Sequence, residues 1–480
     1  MTAIQKAIIW SGMEKILSFG SNFAINILLA RLLSVNDYGL IAMLSIFYSF
    51  SQALVDSGFS SALIQRKKCT KMDYSSVFLF NIAISIIIYF ILFFSAPYIA
   101  KIYNNSNLIL IIRIYCLNLI ILSVYMVHRT LLIKKLRFKI LAISTLISTI
   151  CAGTIATIMA YLGFSYWSLV VQSLITSIIN GIIIILYCKW IPLFKISIKS
   201  LKSLWNFGFN IMFTAIISSI YSNIYSLIIG HKYNSIKLGY FDRSYALSFM
   251  FPTAISDFSM RALYPIQSKI QEDDMKLNSN IKKVLHLTMM VIFPINIFIS
   301  FNSHEIVYCL LGNKWLPISS YVSLITICAL TLPISQINNN AIKSKGKSDY
   351  LLLAEAIKKL FGTLVVLITC QYDFKVMLYG LFIYSIADFV CSAFFLNKTT
   401  GLSIYSQIIE LIPLFIISLI SVSIGLSLSL FFYNIYFKLF ISLIISILSY
   451  LLILSIKKDT GFIYYISLIK KLIYNENRYR

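Results

Sequence analysis

The sequence predicts an all-α polytopic membrane protein, and three observations indicate this class. Of the 480 residues, 59% are hydrophobic and only 12% are charged, which is more apolar surface than a water-soluble domain can bury. Long apolar runs alternate with short polar joints, and about 20 apolar residues suffice for a helix to cross a bilayer. Lysine and arginine are concentrated in every second joint, as expected if those joints stay in the cytoplasm.

The apolar runs predict about fourteen transmembrane helices. We place them near 8–33, 38–64, 75–100, 108–128, 140–162, 165–188, 205–230, 238–268, 284–303, 317–341, 349–371, 376–397, 407–433 and 437–456. The first run has no small-residue cleavage site behind it, so we expect a retained helix and no signal peptide. The alternation of basic joints predicts that both termini lie in the cytoplasm.

The joint between the first two predicted helices carries the most specific pattern. The stretch Ala30–Gly39 reads ARLLSVNDYG, a polar turn between two membrane helices. The second helix then carries Asp56, followed by Ser57 and Gly58, inside its apolar run, and it ends in the stretch 62–66, ALIQR. This hairpin resembles the opening hairpin of bacterial polysaccharide exporters, the O-antigen and capsule repeat-unit flippases.

A second copy of the hairpin lies about 200 residues further on. Gly39 aligns with Gly239, and Asp56 aligns with Asp257 after a one-residue adjustment. Six predicted helices belong to each copy, so both halves keep one orientation, as in parallel repeats that rock around a central site. The predicted domains are two six-helix lobes, 1–203 and 204–398, two additional helices in 399–457, and a basic cytoplasmic tail, 458–480.

The resemblance covers almost the whole chain and implies the multidrug/oligosaccharidyl-lipid/polysaccharide (MOP) exporter superfamily. It implies two pseudo-symmetric six-helix bundles around a central cationic cavity, with two extra C-terminal helices. The implied activity is alternating-access export of an undecaprenyl-pyrophosphate-linked oligosaccharide, the repeat unit of O-antigen, capsule or exopolysaccharide, across the bacterial inner membrane. Implied partners are this lipid-linked substrate, membrane lipids, the polysaccharide polymerase and the chain-length regulator. No cofactor, catalytic residue or metal is expected.

Charged residues inside the predicted helices are the candidate site. A charge at the bilayer centre costs roughly 2.5–3.5 kcal/mol, so it needs a partner or a wet cavity. Arginine binds phosphate through a planar two-donor fork and lysine through a compact charge, so the cations suit a pyrophosphate. The candidate pyrophosphate ligands are Lys15, Arg31, Arg243 and Arg261, with Arg31 included because it belongs to the exporter motif. Asp56 and Asp257 are the candidate ion-coupling or switch residues.

Structural interpretations compete with these assignments. An ionic residue in a span can form an interhelical ion pair or extend to the interface, and this alternative is strongest for five residues. They are Arg31, Arg113, Glu355, Lys358 and Glu410. The four histidines are scattered, and we expect them to be packed or interfacial side chains.

Composition and missing motifs narrow the function. The net charge of +24 is explained mostly by the basic cytoplasmic joints, so no nucleic-acid partner is expected. The sequence has no phosphate-binding loop of the Walker type, no His-Glu-x-x-His motif and no Cys-x-x-Cys pair. We therefore expect a protein that is not an enzyme. The alternatives left open are a lipid-linked peptidoglycan-precursor flippase, a multidrug antiporter of the same fold, and a membrane polysaccharide polymerase or ligase.

Overall fold

The computed structural model describes residues 19–66 and 68–467, without the side chains at positions 206, 258, 260–262, 264–266, 268, 269 and 348. All regular secondary structure in this part of the chain is helical. The helices are α1 (Phe19–Leu32), α2 (Val35–Asp56), α3 (Phe59–Gln65), α4 (Lys71–Ile102), α5 (Asn107–Tyr115), α6 (Leu117–Lys134), α7 (Phe138–Tyr161), α8 (Trp167–Cys188), α9 (Ile198–Ser222), α10 (Ile224–Lys232), α11 (Ser235–Lys269), α12 (Asp274–Phe301), α13 (Ser303–Leu311), α14 (Ser319–Cys328), α15 (Thr331–Ser344), α16 (Ser348–Thr369), α17 (Phe374–Thr400), α18 (Ile404–Ser429), α19 (Ile435–Ile456) and α20 (460–467). A 3-10 helix, Asn313–Ile318, joins α13 to α14.

The helices confirm a multi-pass membrane protein. Within the described residues, ten helical segments are long and apolar enough to cross a membrane, and α9, which bends by 58°, makes up to eleven. Each predicted apolar segment is largely helical in its described part. The helices α11 and α16 are not among the ten, since α11 is less apolar and α16 carries four charged residues, and the described part of α1 is short. The number fourteen stays a prediction.

Polar side chains fix where several helices begin. A capping box starts α4, because Asp73 accepts from the Thr70 backbone N–H at 2.8 Å while Thr70 accepts from the Asp73 N–H at 3.2 Å. The helix α12 begins ten residues before the apolar run predicted at 284, since Asp273 caps it by accepting from the Lys276 N–H at 3.0 Å. The same backbone N–H, together with the Lys276 ammonium, holds the pKa of Asp273 below its ordinary value.

The chain divides into two compact units, the first ending at Asp242 and the second beginning at Arg243. Because this division falls inside α11, the first unit contains α9, α10 and the first two turns of α11. The predicted lobes, 1–203 and 204–398, follow the sequence repeat, and they stay a prediction.

Each unit has its own apolar core. In the first unit, Phe59, Leu63, Val77, Leu132 and Ile184 are buried together, which joins α3, α4, α6 and α8. Between helices in a membrane, close packing replaces the hydrophobic driving force, so good interdigitation matters at these positions.

In the second unit, the core includes the two C-terminal spans. Leu285 of α12, Leu414 of α18 and Leu454 of α19 belong to one buried cluster. Gly425 lets α18 approach α19 closely, because a Cβ at this position would overlap the Ser446 side chain. The additional helices are therefore packed into the second unit.

Candidate functional site

The second predicted span is broken at its candidate acid. The helix α2 ends at Asp56, Ser57 and Gly58 adopt left-handed conformations with φ of 49° and 65°, and α3 begins at Phe59. In transporters, a break in a membrane helix places backbone polar groups and helix ends within the membrane, where they can bind substrates or ions. The break therefore places the carboxylate of Asp56 at a helix C-terminus.

Two glycines hold this break against α9. A Cβ at Gly58 would overlap the backbone oxygen of Gly208, and a Cβ at Gly208 would lie 3.0 Å from the backbone oxygen of Ser57. The left-handed φ of Gly58 independently favours glycine. The crossing thus requires small residues on both helices, as is common in membrane proteins.

The carboxylate of Asp56 is incompletely satisfied. Its Oδ1 is buried and has no hydrogen-bond partner among the described residues. Ser60 of α3 lies near the carboxylate group, and Arg129 of α6 acts on it electrostatically more weakly than Ser60 does. An unpaired buried carboxylate oxygen is costly, and a proton or a cation would satisfy it. Sequence reasoning assigned Arg129 to a cytoplasmic joint and missed this relation.

A second helix break, between α9 and α10, is hydrogen-bonded to α2. Asn223 lies between α9 and α10, and its side-chain amide donates to Ser49 Oγ at 3.0 Å. Ser219 Oγ donates to the same oxygen at 2.8 Å. A polar cluster thus links these discontinuous helices inside the first unit.

The polar residues of the opening motif have structural roles. Ser34 and Asp37 form the capping box of α2, with the Ser34 N–H donating to Asp37 at 2.8 Å. Asp37 is only 4% exposed and also accepts from the hydroxyl of Ser165, while Asn36 accepts from the hydroxyl of Ser235. The motif therefore fixes the start of α2 and binds it to its neighbours.

The repeat-related glycines lie at one helix crossing. A Cβ at Gly39 would overlap the backbone oxygen of Ser235, and a Cβ at Gly239 would overlap the backbone oxygen of Val35. Val35 and Ser235 are themselves separated by the repeat distance, so the two contacts are reciprocal. Such reciprocity is what an internal pseudo-two-fold produces, and it supports the repeat inferred from the sequence.

The remaining candidates of the second repeat lie on α11. Arg243 is half-buried and Asp257 is exposed, and each interacts with other groups. Arg261 follows Arg243 by 18 residues, which is five helical turns and a rise of about 27 Å. A single pyrophosphate cannot contact both residues at once. The assignment of Arg243 and Arg261 as pyrophosphate ligands stays a prediction.

The other candidate cations are placed as follows. Arg31 is exposed in the last turn of α1, where a cation is favoured by the helix dipole, and it too interacts with other groups. Lys15 lies outside the described residues, and for Arg261 only the position on α11 is described.

Depth along each helix sorts the candidates into two groups. Arg31 and Arg243 lie towards the helix ends that the sequence predicts to be outside, and we call them the outer cations. Asp56, Asp257 and Arg261 lie towards the ends placed inside, and we call them the inner group.

Most of the five charged residues with a competing structural interpretation have a contact partner in the structure. Lys358, 4% exposed, contacts Glu355 of its own helix at 2.6 Å and Asp388 of α17 at 3.0 Å. Glu410 contacts His286 at 2.7 Å. The guanidinium of Arg113 lies 4.2 Å from the ring centroid of Phe93, a cation–π contact. The interhelical ion pair that the structural interpretation predicts is therefore found for Lys358.

Comparison with solved structures tests the predicted fold. The fold matches a lipid II flippase, MurJ, in an inward closed conformation, with a TM-score of 0.76, 18% identity and coverage of 96% of this chain and 99% of that chain. It also matches an inward-facing multidrug MATE-family transporter of the MOP superfamily, with a TM-score of 0.62, 14% identity and coverage of 86% and 98%. The predicted MOP-type fold is confirmed.

Sequence comparison gives the family. Residues 28–320 match the family described as polysaccharide biosynthesis protein, and the chain belongs to this family. The lipopolysaccharide biosynthesis protein WzxC of Escherichia coli (strain K12) is 22% identical over 347 residues, 71% of this chain and 70% of that protein. The teichuronic acid biosynthesis protein TuaB of Bacillus subtilis (strain 168) is 22% identical over 302 residues, and the match spans 62% of each chain, under two thirds of TuaB. The succinoglycan biosynthesis transport protein ExoT of Rhizobium meliloti (strain 1021) is 22% identical over 306 residues.

Proposed function

We propose that the protein is a flippase that moves an undecaprenyl-pyrophosphate-linked oligosaccharide repeat unit from the cytoplasmic to the outer leaflet by alternating access. The observation that carries this proposal is the family match over 28–320, which begins inside α1 and includes both candidate hairpins. Relatives named for lipopolysaccharide biosynthesis and succinoglycan transport support the glycan class. The MOP-type fold supports transport without enzymatic chemistry.

The spacing of the cations suggests sequential binding. Because Arg243 and Arg261 are separated by about 27 Å along α11, we assign them to different stages of the passage. In this order Arg261 receives the diphosphate near the inner end of α11, and Arg243 takes it over near the outer end. Lys15 and Arg31 remain proposed ligands of the same headgroup. Guanidinium groups suit this transfer because they bind phosphate oxygens through paired donors.

We assign the switch to Asp56 and Asp257. Asp56 has a buried oxygen without a hydrogen-bond partner in the described residues, so protonation or cation binding would relieve a defined cost. Asp257 occupies the equivalent repeat position. Either acid would release a nearby cation when it becomes neutral.

The proposed location is the bacterial inner membrane with both termini in the cytoplasm. In this orientation, the inside-negative potential favours outward movement of the anionic headgroup by about 2.3 kcal/mol per charge for each 100 mV. A polysaccharide polymerase and a chain-length regulator would use the exported unit, and we propose them as partners.

A lipid-linked peptidoglycan-precursor flippase is the second candidate. The likeness to the lipid II flippase structure favours it, because that fold likeness spans almost the whole chain. Such a substrate, like the first, would present a lipid-linked pyrophosphate, and the two differ in the sugars.

Deletion of the gene followed by glycolipid analysis tests the proposal. We expect one undecaprenyl-linked repeat unit to accumulate on the cytoplasmic side and surface polysaccharide to be lost. Unchanged surface polysaccharide would contradict the proposal. Rescue of cells depleted of their lipid II flippase would favour the second candidate.

Variants test the assigned residues. Arg243→Ala and Arg261→Ala should abolish export at normal protein levels, whereas Lys276→Ala should leave export intact. Lys276 is a suitable control because its side chain is 75% exposed and its ion pair with Asp273 is at the surface. Full export by both arginine variants would show that the path runs elsewhere.

A further inference from the structure

A histidine of the second unit lies between two carboxylates. His286 Nδ1 is 2.7 Å from Glu410 Oε1, and His286 Nε2 is 2.9 Å from Asp459 Oδ1. The side chains of His286 and Asp459 are 12% and 9% exposed, and that of Glu410 is 32% exposed. This cluster takes no part in the proposed transport path.

The cluster joins three separate segments. His286 belongs to α12, Glu410 to the second turn of α18, and Asp459 to the segment between α19 and α20. Asp459 also caps α20, because it accepts from the backbone N–H groups of Gly461 at 2.9 Å and Phe462 at 3.1 Å. The imidazole thus connects α12 to the first additional span and to the helix that follows the last one.

The two short contacts of His286 require one proton more than a neutral imidazole between two ionised carboxylates carries. A neutral imidazole carries one N–H, and its other nitrogen carries a lone pair. With both carboxyl groups ionised, one short contact would oppose a lone pair to a carboxylate oxygen. Both contacts are hydrogen bonds only when the imidazole is doubly protonated or when one carboxyl group keeps its proton.

Loss of that proton should break the hydrogen bond between His286 and Glu410. Asp459 is the more buried acid, and it is held by two backbone N–H groups besides His286. Glu410 is more exposed, and His286 is its hydrogen-bond partner in the described structure. The single remaining imidazole proton therefore stays on the side of Asp459.

The other titratable groups beside the cluster are lysines and tyrosines. Lys457 and Lys458 immediately precede Asp459 and are exposed to solvent. Lys283 of α12 lies 4.4 Å from the ring centroid of Tyr464 in α20. Tyr465 of α20 donates to the Leu287 carbonyl oxygen at 3.4 Å, and Tyr450 of α19 donates to that of Met290 at 2.8 Å. In the described part of α14, α15 and α17, no group hydrogen-bonds or ion-pairs with the three cluster residues. Protonation of the cluster itself therefore controls its contacts.

We propose that His286, Glu410 and Asp459 form a proton-dependent latch that fastens the start of α18 to α12. With the extra proton the latch is closed, and without it Glu410 leaves while Asp459 keeps α20 capped. The latch would make the attachment of the additional spans to the second unit sensitive to pH on the side predicted to be cytoplasmic. It does not depend on which substrate the protein transports.

Hydrogen–deuterium exchange of the full-length protein in lipid nanodiscs tests the latch. Exchange is compared at about pH 5.5 and about pH 8, which bracket the range where histidine side chains change charge, after correction for intrinsic rates. In the wild type, residues 404–411 should lose protection on the order of tenfold at the higher pH, the factor expected for one charge-assisted hydrogen bond. Residues 460–467 should change little.

Two variants separate the latch from general loosening. Glu410→Gln can donate an amide N–H to the unprotonated nitrogen of His286, so 404–411 should stay protected at both pH values. His286→Phe keeps a ring but offers no N–H, so 404–411 should be unprotected at both.

Glu305→Gln is the matched control. It makes the same chemical change in a carboxylate that pairs with Lys438 at 2.6 Å and has no histidine partner among the described residues. Its exchange at 404–411 should follow the wild type. Equal protection of wild-type 404–411 at both pH values, or a response in Glu410→Gln equal to that of the wild type, would overturn the proposal.

Discussion

Replacement of Gly39 by alanine is the sharpest test of the helix crossing. Gly39 is buried in α2, and an added Cβ would fall on the backbone oxygen of Ser235 at the start of α11. A backbone atom cannot rotate away as a side chain can. The two helices must therefore separate by about 1–2 Å to reach ordinary van der Waals distance.

The expected magnitude combines two opposing effects. Overpacking of a tight interface costs roughly 1–3 kcal/mol, while alanine gains up to about 1 kcal/mol over glycine in a helix. Gly39→Ala should therefore lower the free energy of unfolding by about 1–2 kcal/mol. Gly20→Ala is the control, since no described atom lies within 4 Å of a Cβ there, and it should raise that free energy by up to about 1 kcal/mol.

Thermal unfolding of the purified proteins in one detergent measures the difference. We expect Gly39→Ala to melt below the wild type and Gly20→Ala to melt at or above it. Gly39→Ala combined with Gly239→Ala should cost less than the sum of the single changes, because the first Cβ already separates the helices. If Gly39→Ala and Gly20→Ala melted alike, the reciprocal crossing would be refuted.

Two further predictions concern the charge pair and the break in the second span. Lys358→Met should destabilise the protein by about 3–5 kcal/mol in thermal or denaturant unfolding, because it removes the ammonium that pairs with Asp388 at 3.0 Å. Addition of Asp388→Asn should restore part of that loss, and no recovery in the double variant would contradict the pairing. Gly58→Ala should reduce the yield of folded protein in size-exclusion chromatography more than Gly163→Ala does. Both glycines have positive φ, but only a Cβ at Gly58 would overlap Gly208. Equal yields of the two variants would contradict the close crossing of α9 at this break.

The helices were largely predictable from hydropathy, and their interruptions were not. The run predicted at 75–100 is the helix Lys71–Ile102, because apolar length alone specifies a span. The break at Ser57 leaves no comparable signal, since a single glycine in an apolar run is compatible with a continuous helix. The joint predicted near 303–316 contains α13 and a 3-10 helix that buries Trp315 completely, a packing effect that local pattern does not encode.

The candidate site was predictable in residue type and less so in arrangement. The separation of Arg243 and Arg261 by about 27 Å followed from their place in one predicted helix. The contacts of His286 could not be foreseen, because Glu410 and Asp459 are 124 and 173 residues away in sequence. Pairing over such distances is set by tertiary packing, which periodicity does not describe.

The glycine crossing and the candidate acids are related through helix length. Asp56 lies 17 residues after Gly39, and Asp257 lies 18 residues after Gly239, so each acid is about 26 Å along its helix from the crossing. At the glycine end of this distance the backbones of α2 and α11 are in contact, so side chains there cannot adjust to a movement of the helices. At the other end lie ionisable groups, one of them with a buried oxygen that lacks a hydrogen bond in the described structure. We therefore predict that a change in protonation of these acids would act where a given tilt of the helix produces a large displacement.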